Sequence, residues 1–173
     1  MCRYNKVIRF EKDSELLTEL DKIDWSILRE LQKDGRITNV ELAQRVGISA
    51  PPCLRRVRRL EAMGIIQSYH AHINAVSVGW PFSVFVLIGL DSQKEAVLRE
   101  FEEQMAQYPE VRECHMVRGG LDFMIRFIAR NTEDENRITH LLTSNPHVAR
   151  VQTLQTIRTS LYRVGVPLEE EGH

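Results

Sequence analysis

The sequence predicts an α+β protein in two parts, a winged helix-turn-helix followed by a ferredoxin-like βαββαβ domain. Three observations carry this. Residues 20–64 hold three short amphipathic stretches punctuated by Gly35, Gly47 and Gly64. Residues 82–160 alternate strand-like and helix-like patterns in the order β-α-β-β-α-β. Charge divides along the same line: residues 21–64 carry nine Lys/Arg against six Asp/Glu, and residues 80–173 carry ten against fourteen. A basic half joined to an acidic half points to phosphate contact through the first alone.

Composition bounds the reading. The 173 residues are 43% hydrophobic and 27% charged, with a formal net charge of −1. These are values of an ordinary globular chain, long enough for one domain or two small ones. No apolar run approaches the ~20 residues of a membrane helix. Residues 1–10 are polar and basic, unlike a signal peptide. A cytoplasmic protein with no membrane partner is expected. Cys2, Cys53 and Cys114 are odd in number and far apart. They show neither metal-ligand spacing nor a disulfide framework, which suits a reducing compartment. No cofactor and no metal is expected.

The first predicted helix covers 20–34, with Ile23, Ile27, Leu28 and Leu31 at helical spacing. Asp21 and Asp24 fall in its first turn, where carboxylates suit the helix dipole. Gly35 stops it. Thr38-Asn39-Val40-Glu41 is a capping-box pattern that starts a second helix, with Leu42, Ala43 and Val46 apolar and Gly47 at its end. Ser49 then caps a third helix through Met63, and Pro51 and Pro52 are tolerated in its first turn. Leu54, Val57 and Leu60 are expected to pack inward. Arg55, Arg58 and Arg59 share another face at i, i+3, i+4, and Arg56 flanks it. In a helix-turn-helix this third helix enters the major groove, and guanidinium forks suit phosphates and guanine edges. The candidate contacts to double-stranded DNA are therefore Ser49, Pro51, Arg55, Arg56, Arg58 and Arg59.

Residues 65–73 read as an extended wing strand and 74–79 as a hinge. His70 and His72 would share one strand face, with no third metal ligand nearby in sequence. Residues 82–90 read as a buried strand, 94–108 as a helix broken by Pro109, and 111–117 as a strand with mixed faces. A turn at 118–121 leads to a strand over 122–130 with Phe123, Ile125 and Phe127 alternating. Thr132-Glu133-Asp134-Glu135 is expected to cap a helix through Leu142, and 148–160 is a last long strand. Both helices would cover one sheet face. Val84, Val86 and Ile88 are expected on the other, where dimerisation would cover them.

With both halves read, the chain resembles the leucine-responsive/asparagine-regulator (Lrp/AsnC, feast/famine) family. The likeness runs from Leu20 to about Leu168. Its most specific stretch is Leu20 to Tyr69, with the opening Leu-Asp-x-Ile-Asp, the Asp-Gly-Arg turn and the Pro-x-Cys-Leu-x-Arg-Val run. Glu113 to Phe123 is similar to the turn of the family's amino-acid-sensing domain. The resemblance implies a DNA-binding transcription regulator, not an enzyme, whose second domain is an ACT-like sensing and oligomerising fold. It implies homodimers assembling further, an octamer favoured, with an amino-acid effector between dimers.

Carried onto this chain, the effector residues are Met116, Arg118, Gly119, Gly120, Leu121 and Asp122, helped by Gln155 and Thr156. Backbone N–H groups at the two glycines suit a carboxylate, and Asp122 suits an α-ammonium. A tight hairpin needing glycines for positive φ is the competing reading. Gly120 stands where the family commonly has Asp, and the last strand is more polar, with Arg158 adding positive charge. Two alternatives stand beside a ligand-responsive regulator: an enzyme similar to siroheme decarboxylases, and an architectural protein that wraps DNA without a ligand. The expected organisation is an N-terminal extension at 1–19, a DNA-binding domain at 20–69, a linker at 70–80, a sensing domain at 81–168 and a tail at 169–173.

Overall fold

In a computed structural model of the chain, residues 20–168 are described; the N-terminal extension and the tail lie outside them. Helix α1 spans Lys22–Lys33, α2 Asn39–Arg45 and α3 Ala50–Ala62. Asp21 caps α1: its carboxylate accepts from the N–H groups of Ile23 and Asp24, and Asp24 reaches back to the Asp21 N–H. Thr38 and Glu41 form the expected capping box on α2. Ser49 stands at the cap position of α3 but makes no side-chain cap bond. Asn39 instead donates from Nδ2 to the Ala50 carbonyl at 2.9 Å, tying α2 to the start of α3. Ile27, Leu42, Ala43, Cys53 and Leu60 form the core of the three helices. Cys53 takes the inward place expected of Leu54, which is partly exposed.

The wing stretch forms no strand, and among the described residues of this module no second strand lies beside it. His70 and His72 are therefore not a strand-face pair, and the His72 ring stacks on Tyr162 at 5.0 Å. A 3₁₀ turn at Val76–Val78 leads to β1, Phe82–Leu90. Helix α4 (Glu95–Met105), β2 (Val111–Met116), β3 (Phe123–Ala129), α5 (Thr132–Thr143) and β4 (Val148–Gln155) follow. The antiparallel sheet runs β2-β3-β1-β4, the ferredoxin-like order. Asn131, not Thr132, caps α5, its side chain accepting from the Asp134 N–H at 2.8 Å. β4 ends five residues short of the expected strand. Its last rung is Thr156 N–H to the Ser83 carbonyl at 3.0 Å, and β1 begins only one residue earlier.

The sheet faces are reversed from expectation. Val84, Val86 and Ile88 are fully buried with Phe101, Met105, Ile138 and Leu142 of the helices. Side chains alternate across a strand, so the face away from the helices carries Phe85 and Leu87 of β1. Register places Met124 and Arg126 of β3 and Leu154 and Gln152 of β4 beside them. The helices shield β4 poorly on their own side, where Val151, opposite Ile88, is more than two-fifths exposed; Leu154 is as exposed on the open face.

By contacts the chain forms two units. One is 20–71 together with 163–168; the other is His72–Tyr162. Residues 163–168 thus make their contacts with the helix-turn-helix. No helix among the described residues is long and apolar enough to cross a membrane.

Candidate functional site

The third helix divides its four arginines into two pairs. Arg55 and Arg58 are exposed, one turn apart on the same face of α3. Arg56 and Arg59 turn back toward α1 and converge on Asp24, which is fully buried. Arg56 Nη1 donates to Asp24 Oδ1 at 2.9 Å and to Asp21 Oδ2 at 2.7 Å, while Arg59 Nη2 donates to Asp24 Oδ2. Burial pushes the Asp21 carboxyl up, but the Asp24 N–H and the Arg56 guanidinium outweigh it and hold Asp21 below the usual carboxylate range. The hydrogen bonds that Arg56 donates to Asp24 and Asp21 raise its own pKa in turn.

Asp24 is thus more than a dipole partner. A carboxylate out of water is costly unless paired, and here two guanidiniums from the next helix but one supply the pairing. Arg56 is largely committed to this lock. Arg59 shares its fork, since its side chain remains 46% exposed. Ser49 and Pro51 are exposed at the start of the same helix. The sequence signal for the lock was available: Asp24 falls on the same stripe as Ile27 and Leu31.

The turn between β2 and β3 is tied to β1 and β4 from several sides. Val117 N–H bonds to the Asp122 carbonyl and Asp122 N–H to the Ile88 carbonyl, both at 2.8 Å. Asp122 accepts from the Leu90 N–H at 2.7 Å and from Gln93 Nε2 at 3.2 Å. Arg150 Nη2 donates to the Gly120 carbonyl at 2.8 Å. Gly89 makes room for this: a Cβ there would lie 2.9 Å from Leu121 Cδ2 and 3.1 Å from Arg150 Nε. Sequence reasoning missed Arg150 and Gly89, which register sets opposite one another.

Gly119 and Gly120 have neither positive φ nor any atom within 4 Å of an added Cβ. The turn itself does not require them, which removes the hairpin explanation. Met116 and Arg118 are exposed at its edge. Gln155 and Thr156 are not beside it within one chain. Gln155 pairs with Val84 and its side chain reaches Glu135, whereas the turn is anchored at Ile88 and Leu90. Four residues of strand, roughly 13 Å at ~3.3 Å each, separate them.

Among the described residues, no group of three or more His, Cys, Asp or Glu is placed to hold a metal ion. Cys114 is a packed thiol on the covered sheet face, and burial pushes it up to about 12.

A helix-turn-helix with arginines exposed on its third helix, joined to a ferredoxin-like sheet with a braced turn, defines a two-domain DNA-binding transcription regulator. Residues 20–67 match the family profile described as winged helix-turn-helix DNA-binding, and 83–166 match the Lrp/AsnC ligand binding domain. A leucine-responsive regulatory protein of Rhizobium meliloti is 50% identical over 141 residues, 81% of this chain and 90% of that one. An AsnC family transcriptional regulator from Agrobacterium tumefaciens superposes with a TM-score of 0.81 at 28% identity, covering 86% of this chain and 97% of that one. A feast or famine regulatory protein from M. tuberculosis, complexed with L-methionine, gives a TM-score of 0.79 at 29% identity over 87% of this chain and 99% of that one. The chain belongs to the Lrp/AsnC family of transcriptional regulators.

Proposed function

We propose that the protein is a sequence-specific regulator whose DNA binding or assembly responds to an amino acid. One observation carries the DNA reading: Arg55 and Arg58 stand exposed and side by side on α3, while Asp24 clamps the rest of that helix to α1. Arg55 and Arg58 are the direct contacts, with Ser49, Pro51 and part of Arg59 beside them. Arg56 acts by holding the helix. Such rigidity matters because base readout depends on where the forks sit.

The effector reading rests on Gly119 and Gly120, glycines that the turn does not need for itself, beside a fixed carboxylate. The methionine bound by the M. tuberculosis relative supports an amino acid. Because Gln155 and Thr156 stand far from the turn along β1, their help requires a second copy of the chain. The half-buried Phe85 and Leu87 and the exposed Leu154 favour a homodimer through the open sheet face. Further assembly to an octamer, in the cytoplasm, follows the family.

Gel shifts of a promoter fragment, with and without each of the twenty amino acids, test both halves. The expected result is a retarded complex that one amino acid alters. Retardation with no amino acid effect, matched by silent calorimetry, replaces the sensor with a ligand-free DNA-wrapping protein. Light scattering that finds a monomer at micromolar concentration refutes the dimer.

A further inference from the structure

Residues 163–168 form a stretch without helix or strand, yet they group with the helix-turn-helix unit. Their anchor is the side-chain amide of Gln32, in the last turn of α1. Gln32 Nε2 donates to the Val166 carbonyl at 2.7 Å, and Val166 N–H donates to Gln32 Oε1 at 3.0 Å. One amide therefore satisfies both backbone groups of a residue 134 positions away, as a neighbouring strand would.

The residue before it is shaped to this contact. Gly165 has φ +81°, and a Cβ there would lie 2.3 Å from Gln32 Oε1. The positive φ would strain any other residue, and its Cβ would push the Gln32 amide out of the contact. Neither α1 nor the sheet needs this arrangement for its own core. The chain leaves the first unit after Ala71 and returns at Arg163, and His72 and Tyr162, the end residues of the second unit, stack on each other.

We propose that residues 163–168 are a C-terminal strap that docks on α1 through the Gln32–Val166 clasp and steadies the DNA-binding module. The helix-turn-helix is then a discontinuous unit, completed by the far end of the chain. Backbone continuity from β4 into the strap gives the sheet domain a second route to α1, besides the linker. The claim that steadying α1 serves DNA binding rests on the regulator reading above; the clasp itself does not.

The test uses the full chain with Gln32→Ala, Gly165→Ala and the double variant. Two readouts need no DNA: exchange of the Val166 N–H, and trypsin cleavage after Arg163. Each single variant should speed both about tenfold, as expected when a protecting hydrogen bond is lost. The double variant should be little faster than either single, because both break one contact. Free exchange of Val166 in the wild type, or multiplicative effects in the double variant, overturns the clasp. Binding to a promoter fragment is the third readout, with Gln32→Ala expected to weaken it about threefold to tenfold through the coupling of distant contacts. A released strap with undiminished DNA affinity overturns the steadying role. A wild type that binds no DNA overturns both that role and the regulator reading, while the exchange results still decide the clasp.

Discussion

Asp24 and Asp122 each fix an element of a proposed site, but in different settings. Asp24 is sealed beneath α3 and takes hydrogen bonds from Arg56, Arg59 and the Asp21 backbone. Asp122 is half-buried, holds β1 through the Leu90 N–H, and borders a turn whose glycines have open space where a Cβ would stand. The first carboxylate is saturated from within the chain. The second has acceptor capacity left beside open space. On the proposed function, a DNA-reading helix gains from being rigid before it meets its target, whereas a turn that holds an effector must keep room for it.

The largest effect is expected at Asp24. Asp24→Ala removes the carboxylate that two guanidiniums and the Asp21 N–H share, but the arginines it leaves are partly exposed, so the cost should be ~1.5–3 kcal/mol of folding stability. Urea denaturation measures it; a loss near zero would mean that the lock holds nothing. Next come the arginines, which should split. Arg56→Ala should lower stability, with DNA affinity falling only as the module loosens. Arg55→Ala should leave the denaturation midpoint unchanged and cost ~1–3 kcal/mol in DNA binding if it reads a base. Equal behaviour of the two variants in both measurements would erase the distinction between holding and reading.

Much of this was legible in the sequence, for identifiable reasons. Glycine stops and capping boxes are local chemistry, and Thr38 with Glu41 forms the box that its spacing announces. The β-α-β-β-α-β alternation gives the ferredoxin-like order because few topologies fit it. What escaped depends on pairing between distant segments. Val84, Val86 and Ile88 read as one face, but periodicity cannot say which face meets the helices. The end of β4 is set by where β1 starts. Asp24 looked like a dipole partner because Arg56 and Arg59 are over thirty residues away. Arg150 acquires meaning only once register brings it to Gly89.

A smaller effect separates charge from capping at Asp21. Its carboxyl is held below the usual range, so its stabilising contribution is complete above the ordinary carboxylate value and is lost as pH falls from there through the lowered value of the folded state. Asp21→Asn keeps a good N-cap while removing the charge facing Arg56. Melting curves against pH should show wild type above the variant at neutral pH and the two converging in acid. Curves parallel at every pH would assign Asp21 a capping role alone.

The smallest effect on folding is expected at Gly120, and there the contrast with Asp24 is sharpest. A Cβ at Gly120 meets nothing within 4 Å, and the residue has no positive φ. Gly120→Ala should therefore change stability by no more than ~0.5 kcal/mol, as surface substitutions do. The Gly120 carbonyl keeps its bond from Arg150, because that bond uses only backbone on this side. The added methyl nonetheless projects into the space that the proposed effector and a neighbouring copy would share. Calorimetry with whichever amino acid shifts the wild-type DNA complex should show weaker binding to the variant, with DNA affinity in the absence of amino acid unchanged. If binding is undisturbed, the free space at this glycine is not where the effector sits. If stability falls by several kcal/mol instead, the glycine is serving the turn, and the turn resembles Asp24's lock more than it differs from it.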